Sequence, residues 1–343
     1  MKIEDLVRPN IRSLSPYSTA RDEYQGDLGV FLDANENPYD NGVNRYPDPY
    51  QRQLKKRLGE IKAIAPENIF IGNGSDEPID LAYRVFCRPG VDNAVSIAPT
   101  YGMYRVAAAT NDVDVVEVQL EADFSLDVDK LLAATAAHTK LIFLCSPNNP
   151  SGNSFPREQI EQVLERFGGI VVLDEAYIDF SSGESLLTEL KKYPNLIILQ
   201  TLSKAWGMAG LRLGIAYADP YIITLFTRVK YPYNINVVTQ QMVLDRLACP
   251  VDGYVQEIVA QRGVVVEALG KLPVVRYIYP SDANFLLVRF DNPKQIYGLL
   301  IGAGVIVRDR SGIRGCEGCL RITIGTPEEN RKLIEVLSNA SNV

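Results

Sequence analysis

The sequence contains a single histidine, His138, among its 343 residues. A Ser-His-Asp or Cys-His mechanism needs one well-placed histidine, and a His-rich metal site needs several. His138 lies just before the apolar run LIFLC, so we expect it at the N-terminal end of a strand. Open α/β sheets bind ligands at the opposite, carboxyl ends of their strands. Any acid–base chemistry is therefore expected from another group.

Basic residues are not in surplus, and long apolar runs are missing. Lys and Arg total 35 against 42 Asp and Glu, which gives a net charge of -7 and argues against a nucleic-acid partner. No run reaches the ~20 apolar residues of a membrane helix. The start, MKIEDLVRPN, has no apolar stretch of signal-peptide length. We expect a cytoplasmic protein with no membrane partner.

Cysteines are few, and their number is odd. The five cysteines show no disulfide-like framework, which indicates free thiols in a reducing compartment. Cys316 and Cys319 form a single CxxC, whereas a zinc ribbon needs a second pair. The pattern favours a plain turn with two thiols, and we expect no metal.

Apolar content is ordinary, and it is arranged as an α/β pattern. Hydrophobic residues make up 46% of the chain, enough for a sizeable core. Short apolar runs alternate with helical patterns such as residues 157–167, which predicts a mostly parallel sheet. The runs that we interpret as buried strands are residues 68–71, 94–97, 141–145, 170–173 and 196–199.

The pattern changes near residue 250. A long helical stretch is followed by PVVRYIYP, ANFLLVRF, GVIVRDR and LRITIG, which predict a smaller α+β domain. Residues 1–40 are interpreted as an arm that joins neither sheet directly and contributes to the small domain. The predicted organisation is therefore this arm, a large domain over residues 41–249 and a small domain over residues 250–343.

Polar groups follow the predicted strands, at the edge where such sheets bind ligands. After the first run comes GNGSDE, where the backbone amides of Gly74, Ser75 and Asp76 would open a helix whose positive end suits a phosphate. Taken alone, this motif is more often an ordinary turn in which Ser75 or Asp76 caps the helix.

The later strand ends carry further polar groups. SPNNPSG presents Asn149, and DEAY presents Asp174 with Tyr177 after it. Each of these taken singly is as easily a turn residue or a helix cap as a ligand. The last predicted strand of the large domain is followed by Thr201, Ser203, Lys204 and Arg212.

Together these groups are what a pyridoxal phosphate site requires. Lys204 would attach the cofactor and, once released, would act as the base that histidine cannot supply. Asp174 would hold the pyridine nitrogen protonated, while Asn149 and Tyr177 would hydrogen-bond the ring's phenolic oxygen. Tyr101, in APTYGMY, would stack on the ring. Phosphate ligands would come from Ser75, Thr201, Ser203 and Arg212.

With these residues in place, the chain resembles the fold type I pyridoxal-phosphate aminotransferases, and within them the histidinol-phosphate branch of class II. The resemblance covers nearly the whole length. It is carried by PYSTAR (16–21), LDANENPY (32–39), NRYPDP (44–49), NGSDE (73–77), SPNNPSG, LDEAY, TLSKAWGMAGLRLG, KYPYNIN (230–236), GVIVRD (304–309) and LRITIGT (320–326).

The resemblance implies a seven-stranded large-domain sheet and a role for each matching residue. Lys204 is the implied Schiff-base lysine, and Arg321 the implied ligand of the substrate's anionic end. Arg308 and Tyr17 would add phosphate contacts. Tyr46 matches a family tyrosine that reaches the cofactor phosphate of the neighbouring subunit, which implies a homodimer with shared active sites. Asn35, within LDANENPY, is an expected substrate contact.

The activity implied by the resemblance is transamination between L-histidinol phosphate and 2-oxoglutarate, a step of histidine biosynthesis. One alternative is a decarboxylase of a phosphorylated amino acid, which needs the same lysine and arginines. A second is a broad aromatic or branched-chain aminotransferase, in which Arg308 would be idle. A third, a non-catalytic binding or regulatory protein, predicts a lost lysine or a DNA-binding appendage, and the sequence shows neither.

Overall fold

Two β-sheets organise the molecule, which is known here from a computed structural model describing residues 2–15 and 29–340. The larger sheet has seven strands in the order β1-β7-β6-β5-β4-β2-β3, and the smaller has four in the order β10-β11-β9-β8. The α/β class and the seven-stranded, mostly parallel sheet predicted from the sequence are confirmed.

The large sheet is parallel except at one strand. β7 runs antiparallel to both of its neighbours, β1 and β6, while the other neighbouring strands pair in parallel. Its strands are β1 (Ile69–Asn73), β2 (Asn93–Ala98), β3 (Asp114–Gln119), β4 (Thr139–Cys145), β5 (Ile170–Asp174), β6 (Leu196–Thr201) and β7 (Leu213–Ala218).

Helices cover both faces of the large sheet. They are α1 (Pro9–Arg12), α2 (Arg52–Lys62), α3 (Asp76–Phe86), α4 (Met103–Thr110), α5 (Val128–Ala133), α6 (Arg157–Arg166), α7 (Pro220–Val229) and α8 (Val237–Arg246). Alternate residues of one strand enter opposite cores: Val171 packs on one side of the sheet and Val172 on the other. Burial on both faces explains why these strands are continuous apolar runs.

The five predicted runs are all strands, with ends shifted by one or two residues. Two strands were not predicted. β3 is an edge strand with several exposed residues, so it lacks a continuous apolar run. β7 contains Gly214, where an added Cβ would lie 2.1 Å from the backbone nitrogen of Ser75. The glycine that weakens the strand pattern is required by this close backbone approach.

The small sheet is antiparallel throughout and covered on one face by helices. Leu286 and Val288 of β9 and Leu320 and Ile322 of β11 point into a core shared with these helices. The strands are β8 (Val275–Ile278), β9 (Phe285–Phe290), β10 (Arg308–Asp309) and β11 (Cys319–Thr323), and the helices are α9 (Asp252–Leu269), α10 (Pro293–Gly302) and α11 (Pro327–Ala340).

All four strand-like C-terminal pieces contain the strands of this sheet, as predicted. Residues 2–15 and 29–40 contribute no strand, and Ile3, Val7 and Ile11 pack against the large sheet's core. The limits of the arm and the two domains stay a prediction.

His138 immediately precedes β4, at its N-terminal end, as expected. Within the described residues, no helix combines the length and apolarity needed to span a bilayer.

Candidate active site

A pocket opens at the carboxyl edge of the large sheet. It is lined by Ser75, Asp76, Tyr101, Cys145, Asn149, Asp174, Ala176, Tyr177, Thr201, Ser203, Lys204 and Arg212. All of these except Cys145 and Ala176 are predicted site residues. The structure therefore brings together most of the groups identified at the strand ends.

The sheet topology explains how distant segments meet here. Asp174 ends β5, Thr201 ends β6, and Asn149 follows β4, so the carboxyl ends of parallel strands deliver them to one edge. Arg212 directly precedes β7. Because β7 is antiparallel, its N-terminal end lies at this same edge, which brings Arg212 beside groups that follow the parallel strands.

Asp174 is the buried acid of the pocket, with 3% of its surface exposed. Tyr104 Oη donates a hydrogen bond of 2.7 Å to one carboxylate oxygen, and Ala176 N donates one of 3.0 Å to the other. Burial raises the pKa of Asp174, although both hydrogen bonds and the Lys204 charge oppose the shift. The carboxylate is therefore oriented, and a nearby cation would favour its ionised form.

Lys204 extends into the pocket with its amine 5.6 Å from the centre of the Tyr177 ring. Its pKa is lowered, first by desolvation of the amine and next by the positive charge of Arg321. Arg212 lowers it further, whereas Asp174 raises it. A lowered pKa increases the fraction of neutral, nucleophilic amine near neutral pH.

Arg212 and the start of α3 form one end of the pocket. Gly74 N donates to the Arg212 backbone oxygen at 2.8 Å, and Gly74 has a φ of 73°. A Cβ on Gly74 would lie 2.6 Å from Arg212 Nη2, so only glycine leaves room for the guanidinium. Asp76 accepts a hydrogen bond from Tyr101 Oη at 3.0 Å and lies 3.7 Å from Arg212.

Hydroxyls join the helix start at this end. Thr201 Oγ1 accepts a 3.1 Å hydrogen bond from Ser203 N, and both residues line the pocket beside Ser75. The combination of a helix N-terminus, hydroxyls and an arginine fork is suited to a phosphate.

A hydrogen-bonded chain links the pocket to the small sheet. Arg321 Nη1 donates to Asn149 Oδ1 at 2.5 Å, and Asn149 Nδ2 donates to Tyr177 Oη at 3.4 Å. Burial lowers the pKa of Arg321, Tyr177 opposes this effect, and Arg308 adds to it. Burial also raises the pKa of Tyr177. Hydrogen bonds therefore connect Arg321, on the small sheet, to Asn149 and Tyr177 in the pocket.

The other predicted residues do not line the pocket. Arg308 is exposed and lies directly opposite Arg321 in the register of β10 and β11. Tyr46 is 50% exposed and stacks on Tyr233 with ring centres 4.3 Å apart. Asn35 is exposed with a φ of 54°. Tyr17 lies outside the described residues.

Tyr104 is a site residue that the sequence analysis missed. It is fully buried, and its ring packs on Phe143 with centres 4.9 Å apart. The signal that was available is its position in APTYGMY, three residues after Tyr101, which corresponds to about one helical turn.

Comparison with known proteins agrees with this geometry. The family model "Aminotransferase class I and II" matches residues 24–337. A histidinol-phosphate aminotransferase of Parabacteroides distasonis is 52% identical over 98% of both chains. One of Bacteroides fragilis is 53% identical over 98% of both chains.

Solved structures share the fold. The histidinol-phosphate aminotransferase of Sinorhizobium meliloti in complex with pyridoxal-5'-phosphate superposes with a TM-score of 0.79 at 24% identity, over 87% of this chain and 83% of that one. A decarboxylase of Sulfurospirillum multivorans gives 0.75 at 29% identity, over 87% and 79%. With its family match and half-identical relatives, the chain belongs to the class I and II aminotransferases, in the histidinol-phosphate aminotransferase family.

Proposed function

We propose that this aminotransferase uses pyridoxal 5'-phosphate to move an amino group between L-histidinol phosphate and 2-oxoglutarate, yielding imidazole-acetol phosphate and glutamate in histidine biosynthesis. The observation that carries the proposal is a single pocket into which the Lys204 amine, the Asp174 carboxylate and the Arg212 guanidinium all open. The half-identical relatives bear the name of this activity.

The donor set fits the three functional ends of pyridoxal phosphate. The cofactor, when bound, supplies an aldehyde that condenses with amines and a ring that accepts the electron pair left by loss of an α-proton. Lys204 matches the aldehyde, the buried Asp174 matches the ring nitrogen, and Arg212 with the start of α3 matches the phosphate. Gly74 leaves the space that Arg212 needs. The residues therefore fit the group.

Asp174 is assigned to hold a proton on the ring nitrogen. Its pKa is raised by burial, so its charge is unfavourable without a partner and is favoured by a cation beside it. Tyr104 and Ala176 N fix the orientation of the carboxylate. Asn149 and Tyr177 are assigned to hydrogen-bond the ring oxygen, and Tyr101 to cover the ring face.

Lys204 is assigned to attach the cofactor and to move the proton. Its pKa is lowered by desolvation and by Arg321, which enlarges the neutral fraction of the amine that would take a proton from the substrate α-carbon. With the cofactor bound, the same amine would hold that proton and return it within the pocket. No histidine is needed for this transfer.

The substrate's anionic groups are assigned to the small-sheet edge. Arg321 is held by Asn149 and would bind the glutamate carboxylate in one half-reaction and the phosphate ester in the other. Arg308, paired directly opposite, would share the phosphate. Asn35 and Tyr17 are assigned as further contacts.

We propose that the protein forms a homodimer with shared active sites, in which Tyr46 of one subunit reaches the cofactor phosphate of the other. Large apolar side chains near it are exposed: Val30 (87%), Leu32 (85%), Tyr39 (81%) and Tyr231 (78%). Surface of this kind is typical of a protein interface. Mixing Tyr46→Ala with Lys204→Ala tests the arrangement, because a hybrid dimer would hold one site with both residues intact. Activity that reappears on mixing supports the proposal, and two inactive variants that stay inactive together contradict it.

The proposed setting is the cytoplasm, with small anionic molecules as partners and neither nucleic acid nor membrane. The net charge of -7 supports the exclusion of nucleic acid.

The deciding experiment compares substrates and lysine variants. Purified protein with cofactor should show the visible absorption of a lysine-bound pyridoxal, and Lys204→Ala should lose it together with about 10⁴-fold or more in turnover. Lys191→Ala, at an exposed lysine, is the control. Histidinol lacking the phosphate should be a much poorer substrate, because each lost charged hydrogen bond costs about 1.5 to 3 kcal/mol. Equal rates for both substrates would refute the substrate assignment alone.

Decarboxylation is the second candidate, supported by the shared fold of the Sulfurospirillum decarboxylase. It requires the same lysine and arginines, so the products must separate the two reactions. Carbon dioxide release without formation of a keto product would favour it, whereas glutamate formed from 2-oxoglutarate supports transamination. A broad aromatic aminotransferase would show no dependence on Arg308.

A further inference from the structure

A third arginine lies on the same face of the small sheet as the two assigned to the substrate. Arg308 of β10 pairs directly with Arg321 of β11, and Arg310 N donates to the Cys319 backbone oxygen at 3.0 Å. Arg310 follows β10 directly, and its hydrogen bond to Cys319 continues the β10–β11 ladder, so its side chain leaves the same face as that of Arg308. Directly opposed Cβ atoms lie about 5 Å apart and diagonal ones about 7 Å. The charges of Arg321 and Arg308 both lower the pKa of Arg310, which is consistent with this proximity.

This face of the sheet is the one that looks toward the pocket. Leu320 and Ile322, on the opposite face of β11, are in the core beneath the helices. Arg321 donates from the near face to Asn149 in the pocket wall. Arg308 and Arg310 therefore extend from the side of the small sheet that approaches the large one.

The three arginines have no acidic partner among the residues that the structure describes. None of them forms an ion pair within 2–15 or 29–340, and the Arg310 Nε atom is buried without a hydrogen-bond acceptor there. Burial lowers the pKa of Arg310, and the charges of Arg321 and Arg308 lower it further. Three adjacent like charges repel one another, which an anion bound between them would relieve.

Two other arginines nearby have different surroundings. Arg289, on β9, lies over the Tyr279 ring at 5.6 Å, and a hydrogen bond with Cys319 raises its pKa. Arg314, in the same loop as Arg310, is exposed. Arg289 also has a buried Nε atom without an acceptor among the described residues, but its guanidinium lies over Tyr279, whereas the charges of Arg321 and Arg308 act on Arg310. Arg310 therefore combines an unused donor with a position beside the two arginines assigned to the substrate.

We propose that Arg310 is a third substrate-binding arginine, which acts with Arg308 and Arg321 to receive a doubly charged phosphate ester. The inference rests on the proposed function and deepens it by adding a residue that selects the phosphorylated substrate. Glutamate carries a singly charged carboxylate at this end, and Arg321 alone can pair with it bidentately. Arg310 therefore contributes to binding of the phosphate ester and little to binding of glutamate.

Arg310→Gln in the cofactor-loaded enzyme tests this selectivity. The KM for L-histidinol phosphate should rise about 10-fold or more, the effect of losing one charged hydrogen bond. The KM for glutamate and kcat should change by less than about 3-fold, since neither depends on that bond. Arg314→Gln removes the same charge from an exposed position of the same loop and should leave both KM values unchanged. Arg310→Lys should recover part of the lost affinity, because an ammonium still attracts phosphate.

Calorimetric titration with inorganic phosphate gives a readout that needs no turnover. The cofactor-loaded wild type should bind phosphate more tightly than Arg310→Gln by about 10-fold. An unchanged phosphate affinity in Arg310→Gln, an equal rise in both KM values, or the same loss in Arg314→Gln would overturn the proposal. A wild type that binds phosphate through Arg310 but does not transaminate histidinol phosphate would instead refute the proposed function.

Discussion

The rim of the large sheet and the β10–β11 ribbon of the small sheet meet at one site but are built differently. Within the rim, Asp174 and Asn149 are buried, with 3% and 7% exposure, and form hydrogen bonds with Tyr104 and Tyr177. The ribbon presents Arg308, which is exposed, and Arg310, which has an unused buried donor. If the proposed roles hold, the cofactor end is preorganised and the substrate end is completed by its ligand.

The charges of the two regions differ as well. The rim combines an acid, an amine and an arginine, while the ribbon carries only cations toward the site. An enzyme that alternates between two substrates on one cofactor can keep the first region fixed. Under the proposed function, the second region would accept a carboxylate and a phosphate ester in turn.

Among substitutions that leave Lys204 in place, the largest effect is expected from Asp174→Asn, which removes the buried acid of the rim. Turnover should fall about 100-fold, because a neutral amide cannot hold the charged ring nitrogen. The apoprotein, however, should melt at a higher temperature at pH 7. Burial raises the pKa of Asp174, so its ionised form destabilises the folded state above the folded pKa, and this penalty disappears below the unfolded pKa.

Melting curves of the Asp174→Asn apoprotein from pH 7 downward, with steady-state rates at pH 7, check both parts. The difference in melting temperature should vanish as the pH falls. Asp129→Asn, at a side chain that is 82% exposed, is the matched control. If the variant were less stable than the wild type at pH 7, the ionised Asp174 carboxylate would not destabilise the folded state as predicted.

Arg321→Gln tests the link between the two regions. The KM for both substrates should rise about 30-fold, because both half-reactions place an anion on this guanidinium. The pKa of Lys204 should rise, since the positive charge of Arg321 is one cause of its lowering. The pH dependence of cofactor attachment to the apoprotein measures that shift, because attachment requires the neutral amine. Arg276→Gln, at an arginine of the same sheet that pairs with Asp291, should change neither quantity.

Gly74→Ala tests whether Arg212 and the start of α3 bind the phosphate of the cofactor. The new Cβ would press on Arg212 Nη2 at 2.6 Å, and a φ of 73° is unfavourable for alanine. We expect about a 10-fold loss of cofactor affinity and about 1 kcal/mol of stability. Fluorescence titration of the apoprotein with cofactor measures the affinity. Gly168→Ala, where nothing lies within 4 Å of the added atom, should behave like the wild type.

The smallest effect is expected from Tyr104→Phe. Loss of the 2.7 Å hydrogen bond should raise the pKa of Asp174 further and lower turnover about 5-fold. Tyr83→Phe removes a buried hydroxyl that donates to the Tyr104 backbone oxygen instead, so it keeps the Asp174 contact. Equal turnover in the two variants would mean that Tyr104 has no orienting role.

Much of the rim was predictable from the sequence because the information is local. A buried parallel strand is a short apolar run, and the residues that follow it must lie at the carboxyl edge, as Asn149 and Asp174 do. Tyr104 was missed because its partner is 70 positions away in the chain, and nothing in APTYGMY identifies that partner.

The sequence by itself determined the α/β class, the apolar strands and the chemical types that follow them, because burial leaves a mark on each segment separately. Only the tertiary structure decided that β7 runs antiparallel and returns Arg212 to the rim. It also decided that β10 pairs with β11, which places Arg308 opposite Arg321 and Arg310 diagonally beside it. Strand direction and register come from contacts between distant segments, which the spacing of residues along one segment does not encode.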